Sequence, residues 1–316
     1  MKSQRMSMSE RPELSIVIPL YNESENIETL HARLRATLKT LSRPSEIIYV
    51  DDGSADRTAE ILRQIHSREP GVIVVIFNRN YGQHAAVGAG LERARGEIVI
   101  TLDGDLQNPP EEIPKLLEKI DQGYDVVGGW REDRRDSMVR RFFSFVINRV
   151  TSRAVGVEMR DYGCMLRAYR RSVVERIREC PELSSFIPAL ANSFAGSVTE
   201  VPIAHFPRRS GRSRYTPLRL MRLSLDLLTG FSLLPIQMVG LAGIAISIFG
   251  LFIALFLGLR RLIVGPEVQG VLILFAILFF FVGLQILALG LIGEYVGRIY
   301  MVVRRRPKYV TKEILE

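Results

Sequence analysis

The sequence predicts an α/β fold with a mostly parallel sheet and flanking helices, then interfacial helices and two transmembrane helices. Three observations carry this. Short apolar strands alternate with helical stretches over residues 14–128, two of those strands end in paired acids, and the last third holds two long apolar runs. Strands that alternate with helices build mostly parallel sheets with helices on both faces.

The elements follow in order. Leu14-Ser15-Ile16-Val17-Ile18-Pro19 is a buried strand, and Tyr21-Asn22-Glu23-Ser24 leads into a helix over residues 25–41. Glu46-Ile47-Ile48-Tyr49-Val50 is the second strand, closed by Asp51-Asp52-Gly53-Ser54, and a helix opens at Ala55-Asp56. Residues 72–77 form the third strand. A loop over residues 78–83 then precedes a small-residue helix through Ala94. Ile98-Val99-Ile100-Thr101-Leu102 is the fourth strand and ends at Asp103-Gly104-Asp105. Pro110 suits the first turn of the next helix, and Asp125-Val126-Val127-Gly128 is a fifth strand.

The acids are the chemical signal. Ligands of open α/β sheets bind beyond the carboxyl ends of the strands. Two acidic strand ends on one rim therefore make a site for a divalent cation and for something it neutralises. Carboxylate oxygens suit Mg²⁺ or Mn²⁺, which bridge a few carboxylates to substrate phosphates. A single Asp-Gly pair also serves as a simple turn; two in one pattern favour the site. No G-x-G-x-x-G or Walker A sequence is present, which argues against a dehydrogenase or a P-loop NTPase.

Residues 233–259 are apolar apart from Gln237 and small or Pro positions, and residues 270–292 are apolar apart from Gln285. Each run exceeds the roughly 20 residues a helix needs to cross a bilayer. Helices apolar on all faces over this length rarely suit a soluble core. Arg208, Arg209, Arg212, Arg214, Arg219 and Arg222 precede the first run; Arg298, Arg304, Arg305, Arg306, Lys308 and Lys312 follow the second. Only Arg260 and Arg261, with Glu267, lie between. The positive-inside rule puts both termini and the N-terminal domain in the cytoplasm. The net charge of +8 gathers beside the membrane, which reads as attraction to anionic lipid headgroups rather than nucleic acid. Cys164 and Cys180 lack metal-ligand spacing and read as reduced packing residues. The expected organisation is a flexible terminus (1–11), a catalytic domain (12–215), a juxtamembrane amphipathic helix (216–230), two membrane helices (231–296) and a basic tail (297–316). Residues 138–155 and 218–228 place apolar side chains at helical spacing opposite arginines, as interfacial helices do; packing against the catalytic core is the alternative for the first.

Pro19-Leu20-Tyr21-Asn22-Glu23, Val50-Asp51-Asp52-Gly53-Ser54 and Asp103-Gly104-Asp105 together resemble the family 2 glycosyltransferases of the GT-A fold. With two apolar runs behind them, the resemblance narrows to the polyprenyl-phosphate glycosyltransferases. Residues 78–84, 106–114, 161–171, 186–188 and 293–300 bring it to the branch that moves 4-deoxy-4-formamido-L-arabinose from a UDP-sugar to undecaprenyl phosphate for lipid A modification and polymyxin resistance. The resemblance covers nearly the whole chain. It implies an inverting, metal-dependent enzyme of the bacterial inner membrane, homotetrameric as its relatives are, with no nucleic-acid partner.

Roles follow from the resemblance and from chemistry. Asp105, with Gln107, is implied as the protein part of a Mn²⁺ or Mg²⁺ shell, with Asp103 beside it through water or the ribose. Asp52 is expected on the nucleobase or ribose, with Pro19, Tyr21, Glu23, Gly82 and Gln83 lining the UDP-sugar pocket. Gly104 is expected to let substrate approach the backbone. The acceptor, a lipid phosphate, calls for cations, and arginine's planar fork suits phosphate. Arg131, Arg140 and Ser144, and the pre-membrane Arg209, Ser213 and Arg214, are the candidates; relatives carry G-x-S-K where this chain has Gly211-Arg212-Ser213-Arg214. Asp161 is the family's candidate base, but a phosphate acceptor is already ionised at neutral pH, so orientation is an alternative role. His84 reads as a structural hydrogen bonder rather than a base or ligand. Two rival readings stand beside this one: a glucosyl- or mannosyltransferase of similar architecture, and an inactive nucleotide-binding membrane scaffold.

Overall fold

The computed structural model describes residues 11–69, 71–131, 152, 156–180, 186–206, 234–265, 271–304 and 307–316. They fall in two compact units, one within Met1–Ser224 together with Arg306–Glu316, the other within Leu225–Arg305. The first unit opens with β1 (Leu14–Leu20), α1 (Ile27–Leu41), β2 (Ser45–Asp51), α2 (Thr58–Arg68), β3 (Val72–Phe77), α3 (Gln83–Arg93) and β4 (Ile98–Thr101). α4 (Ile113–Asp121), β5 (Val126–Arg131), β6 (Arg167–Arg170), α5 (Arg171–Glu179), α6 (Ile187–Phe194) and β7 (Val198–Ile203) follow. β8 (Thr311–Leu315) closes the unit.

The eight strands form one sheet in the order β7-β5-β6-β4-β1-β2-β3-β8. β6 runs against β4 and β5, and β8 runs against β3; the β1–β2, β1–β4, β2–β3 and β5–β7 pairs are parallel. The expected mostly parallel sheet is therefore present. Two-residue periodicity divides its core. Leu14, Ile16, Ile18, Ile47 and Tyr49 face one layer with α1, α2 and α4 residues. Val17, Ile48 and Val50 face the other with α3 and α5 residues. Each fully buried aliphatic side chain contributes about 1.5–3 kcal/mol.

β1 is the switch point. The chain goes from β1 to β2 and β3 on one side, then returns to place β4 on the other. A crevice opens at such a reversal, beyond the carboxyl ends of the strands. Pro19 fits there because β4 pairs with β1 only from Leu14 to Val17. The missing proline N–H leaves no ladder bond unmade on that side.

Two expectations change. Residues 297–316 read as a basic tail, yet residues up to Val303 continue a helix and residues 311–315 add β8 to the β3 edge. Exposure alternates along Thr311-Lys312-Glu313-Ile314-Leu315, as suits an edge strand, although the residue types themselves do not alternate. The second unit holds α7 (Leu234–Val264) and α8 (Val271–Val303), both largely apolar and exposed. Among the described residues one helix is long and apolar enough to cross a membrane, through the stretch Phe280–Gly297 with mean hydropathy 1.7; the apolar stretch Ile236–Phe252 of α7 is shorter. The expected interfacial segments and residues 216–230 lie wholly or almost wholly outside the described residues.

Packing fixes the sign of one substitution. A Cβ on Gly90 of α3 would lie 2.2 Å from Val17 Cγ1. Gly90→Ala gains up to about 1 kcal/mol of helix propensity but overpacks β1, at roughly 1–3 kcal/mol. Thermal melting is expected to show Gly90→Ala destabilised. Gly71→Ala, where nothing lies within 4 Å, serves as the neutral control.

Candidate active site

The site is assembled from several chain segments, the first three of them beside the β1 switch point. Asp52 follows β2, is 3% exposed, and accepts three hydrogen bonds from one loop: Asn80 Nδ2 at 2.8 Å, Tyr81 N at 2.7 Å and Gly82 N at 2.9 Å. Burial raises its pKa, and the two backbone N–H groups oppose that. The carboxylate thus shapes the loop over residues 78–83. The next residue, Gly53, has φ +67°, and a Cβ there would sit 2.3 Å from the Arg79 carbonyl carbon. Only glycine permits that backbone-on-backbone approach.

The same loop reaches the second acidic end. Gln83 Nε2 donates to Asp103 Oδ1 at 2.8 Å, and Asn108 Nδ2 donates to Oδ2 at 3.2 Å. Asn108 is buried and its Oδ1 lies 3.3 Å from His205 Nδ1. Burial, then the neighbouring Asp105, push Asp103 up to about 7. Asp105 Oδ1 accepts from Gln107 N at 3.1 Å. Between them Leu106 takes φ +60°, an uncommon conformation for a leucine. Its side chain is buried in the core and anchors the turn.

This donor set fits a hard divalent cation. Burial first, and the charge of Asp105 second, favour a proton on Asp103 near neutrality, a situation a cation relieves. No cluster of three or more His, Cys, Asp or Glu side chains exists among the described residues. That suits Mg²⁺ or Mn²⁺, which takes one or two carboxylates and completes its shell with phosphate and water.

Arg131 ends β5 and meets Asp161. Arg131 Nε donates to Asp161 Oδ2 at 2.6 Å and Nη2 to Oδ1 at 3.0 Å. Gly163 N adds a third bond at 3.0 Å. Asp161 is 2% exposed. Its loop is held from beneath by Arg167, fully buried, whose Nε donates to Cys164 O at 2.8 Å and whose Nη2 donates to Asp161 O at 2.9 Å.

Eight of the expected site residues fall in three local groups. Asp52, Gly82, Gln83 and Asp103 form one hydrogen-bonded chain, Asp105 and Gln107 share a turn, and Arg131 and Asp161 pair. Pro19 is buried, while Tyr21 and Glu23 are half-buried in the β1–α1 loop, which the Ser54 and Thr58 hydroxyls tie to the next loop. Arg140, Ser144, Arg209, Ser213 and Arg214 lie outside the described residues. Gly104 serves packing: a Cβ there would lie 2.2 Å from Leu20 Cδ2. His84 makes no structural hydrogen bond through Nδ1, which is buried without a partner among the described residues; burial lowers its pKa to about 4, and its ring meets Phe186 edge-on at 5.4 Å. Cys164 is buried and its thiol is pushed up to about 12, so it packs as a neutral group. Sequence reasoning missed Asn80, Asn108, Arg167 and His205. Asn80 and Asn108 sit inside motifs already singled out; a buried Arg167 leaves no sequence signal, since arginine is ordinarily a surface residue.

The fold and this rim define a class, and comparison with known proteins gives the family. The glycosyl transferase family 2 model matches residues 15–178. The chain belongs to that family and is a glycosyltransferase. It is 49% identical over 305 residues to the undecaprenyl-phosphate 4-deoxy-4-formamido-L-arabinose transferase of Pseudomonas paraeruginosa, covering 96% of this chain and 90% of the relative. The transferases of the same name from Edwardsiella ictaluri (48% over 306 residues, 96% and 94% covered) and Photorhabdus laumondii (47% over 313 residues, 98% and 96% covered) are similar. A solved glucosyl-3-phosphoglycerate synthase from Mycobacterium tuberculosis, in complex with Mn²⁺, uridine diphosphate and glucosyl-3-phosphoglycerate, aligns at TM-score 0.49 and 18% identity, covering 70% of this chain and 78% of that one.

Two outcomes follow from the geometry. Asp103 has its folded pKa raised well above the unfolded value, so the proton it holds stabilises the fold at acid pH, and that contribution is lost as pH rises toward 7. In chelator, Asp103→Asn is expected to raise the melting temperature relative to native at pH 8 and to lose that advantage at pH 5. Divalent cation is expected to stabilise native protein more at pH 8 than at pH 6, since it competes with the same proton. Separately, Arg131→Ala removes the charge partner seen on the buried Asp161 carboxylate, at roughly 3–5 kcal/mol. Arg131→Ala with Asp161→Ala is expected to cost clearly less than the sum of the two, as read by a double-mutant cycle on denaturant melts.

Proposed function

We propose that this protein transfers 4-deoxy-4-formamido-L-arabinose, with inversion, from its UDP-sugar to undecaprenyl phosphate at a membrane surface. The observation that carries this is the rim itself. The Asp52-bound loop and the Asp103–Asp105 turn join at the β1 switch point, and the Arg131–Asp161 pair lies near enough for Arg131 to act on the Asp103 charge, in a chain about half identical to transferases of that name over nearly its whole length. The donor's sugar identity and the polyprenyl acceptor come from those relatives.

The residues divide the work. Asp52 fixes the loop that carries Gly82 and Gln83, and so shapes the nucleotide side of the pocket with Tyr21 and Glu23. Asp105, Gln107 and Asp103 would hold Mn²⁺ or Mg²⁺. When bound, the cation neutralises charge developing on the UDP leaving group. Cleavage of the anomeric bond passes its electrons to the β-phosphate oxygen, while an acceptor phosphate oxygen attacks from the opposite face. That oxygen is already anionic at neutral pH and needs no base. Asp161 therefore acts as an orienting group: with three hydrogen bonds converging on its carboxylate, it fixes the plane of the Arg131 guanidinium. A guanidinium has five N–H donors and suits phosphate. Arg140, Ser144, Arg209, Ser213 and Arg214 are the further acceptor candidates.

Membrane placement belongs to the same reading. α7 and α8 would both span the bilayer, the α7 apolar stretch being lengthened on its C-terminal side by Ile253-Ala254-Leu255-Phe256-Leu257-Gly258-Leu259. The basic residues flanking the pair would keep the catalytic unit and both termini cytoplasmic, as suits an acceptor whose phosphate lies at the inner face of a bacterial membrane.

A panel of UDP-sugars with undecaprenyl phosphate and Mn²⁺ tests the assignment. Turnover is expected with the 4-deoxy-4-formamido-L-arabinose donor. Preferential transfer of glucose or mannose would overturn the sugar, and no transfer from any UDP-sugar would overturn the class of donor. Asp105→Ala and chelation of native enzyme are each expected to lower the rate at least about 10² to 10³-fold, the usual scale of such charge stabilisation. Full activity in chelator would exclude the metal role.

A further inference from the structure

The segment over residues 309–316 carries chemistry that the transfer reaction does not use. It follows α8 in the chain and packs within the catalytic unit, with β8 pairing antiparallel to β3 from Val74↔Leu315 to Phe77↔Thr311. β3 leads directly into the loop over residues 78–83, which Asp52 binds and Gln83 extends to Asp103.

The contacts fall on both flanks of that loop. Before it, Asn78 N, the loop's first donor, bonds to Val310 O at 3.1 Å. Tyr309 stacks on Phe77 with ring centroids 4.6 Å apart and planes 16° from parallel. The same Phe77 ring receives Tyr81 edge-on at 5.7 Å, and Tyr81 N is one of the three donors to Asp52. After it, on α3, the Tyr309 hydroxyl donates to Glu92 and Arg93 pairs with Glu316. One short segment thus grips the strand that enters the loop and the helix that leaves it.

We propose that residues 309–316 are a positioning element of the nucleotide site, with Tyr309 the positioning residue that sets the loop through Phe77 and Asn78. This rests on the reading of the rim as a UDP-sugar site. The route is physical: Tyr309 and Tyr81 share the Phe77 ring, so loss of the stack frees Phe77 to move, and Tyr81 and the Asp52-bound backbone move with it. By chain continuity the same segment joins α8 to the donor loop, so the element nearest the membrane region in sequence also holds the nucleotide pocket.

The test uses the full-length protein in membranes or detergent. UDP binding is measured by calorimetry with Mn²⁺, and steady-state constants are measured for donor and acceptor separately. Tyr309→Ala is expected to weaken UDP binding and raise the KM for the UDP-sugar about tenfold, the scale of a lost aromatic pair with its burial. The KM for undecaprenyl phosphate and the kcat at saturating donor stay near native. Tyr309→Phe keeps the stack and is expected to restore most of the donor affinity. Hydrogen exchange at residues 78–83 is expected to quicken in Tyr309→Ala and stay slow in Tyr309→Phe. A merely structural strand would instead lower kcat through lost active protein with both KM values unchanged, and that result overturns the proposal. A native protein that binds no UDP sinks the donor-site reading and the proposal with it. Native binding of UDP with an unaltered Tyr309→Ala sinks the proposal alone.

Discussion

The candidate site depends on one buried carboxylate. Asp52 takes three N–H donors from Asn80, Tyr81 and Gly82, and hydrogen bonds to a charged group are worth about 1.5–3 kcal/mol each. That arrangement places Gln83 at the start of α3, where it donates to Asp103. Two strand ends on either side of β1 are thereby tied into one rim. Gly53 permits it by letting the Arg79 backbone approach where any Cβ would collide. The Asp-Asp-Gly sequence after β2 is thus a mechanical unit: the first acid binds Ser54, the second shapes the donor loop, and the glycine leaves room for it.

The opposite wall follows a similar logic with inverted charge. Arg131 and Asp161 neutralise each other at the end of β5, and a fully buried Arg167 holds the Asp161 loop through its carbonyl oxygens. Buried arginine without such partners would be very costly. In the proposed reaction the pair presents an oriented guanidinium to an anionic acceptor, while the Asp103–Asp105 side presents excess negative charge to a cation.

Much of this was legible in the sequence. The parallel core was visible because β1 to β4 alternate with helices and are apolar on both faces. The acidic rim was visible because Asp52, Asp103 and Asp105 fall at strand ends. β6, β7 and β8 were not. β6 is only four residues long and sits within Arg167-Ala168-Tyr169-Arg170, whose arginines read as surface. β8 pairs across a sequence separation that no local pattern announces, and its lysine and glutamate belong to a tail rich in charge. Asp52 was expected on the nucleobase or ribose; the structure shows its oxygens accepting from Asn80, Tyr81 and Gly82, a loop contact that spacing alone does not announce. At Gly104 the lack of a side chain also makes room for Leu20, a packing role that the Asp-Gly-Asp pattern does not announce.

The central claim is that the rim binds a nucleoside diphosphate jointly through its shaped loop and a divalent cation held by the Asp103–Asp105 turn. Titration of the native protein with UDP at pH 8, with and without Mn²⁺, tests it most directly. The account predicts binding that is weak in chelator and strengthened by Mn²⁺ by at least about tenfold, the scale of a charge interaction worth 1.4 kcal/mol. Equal affinity in the two conditions would contradict it.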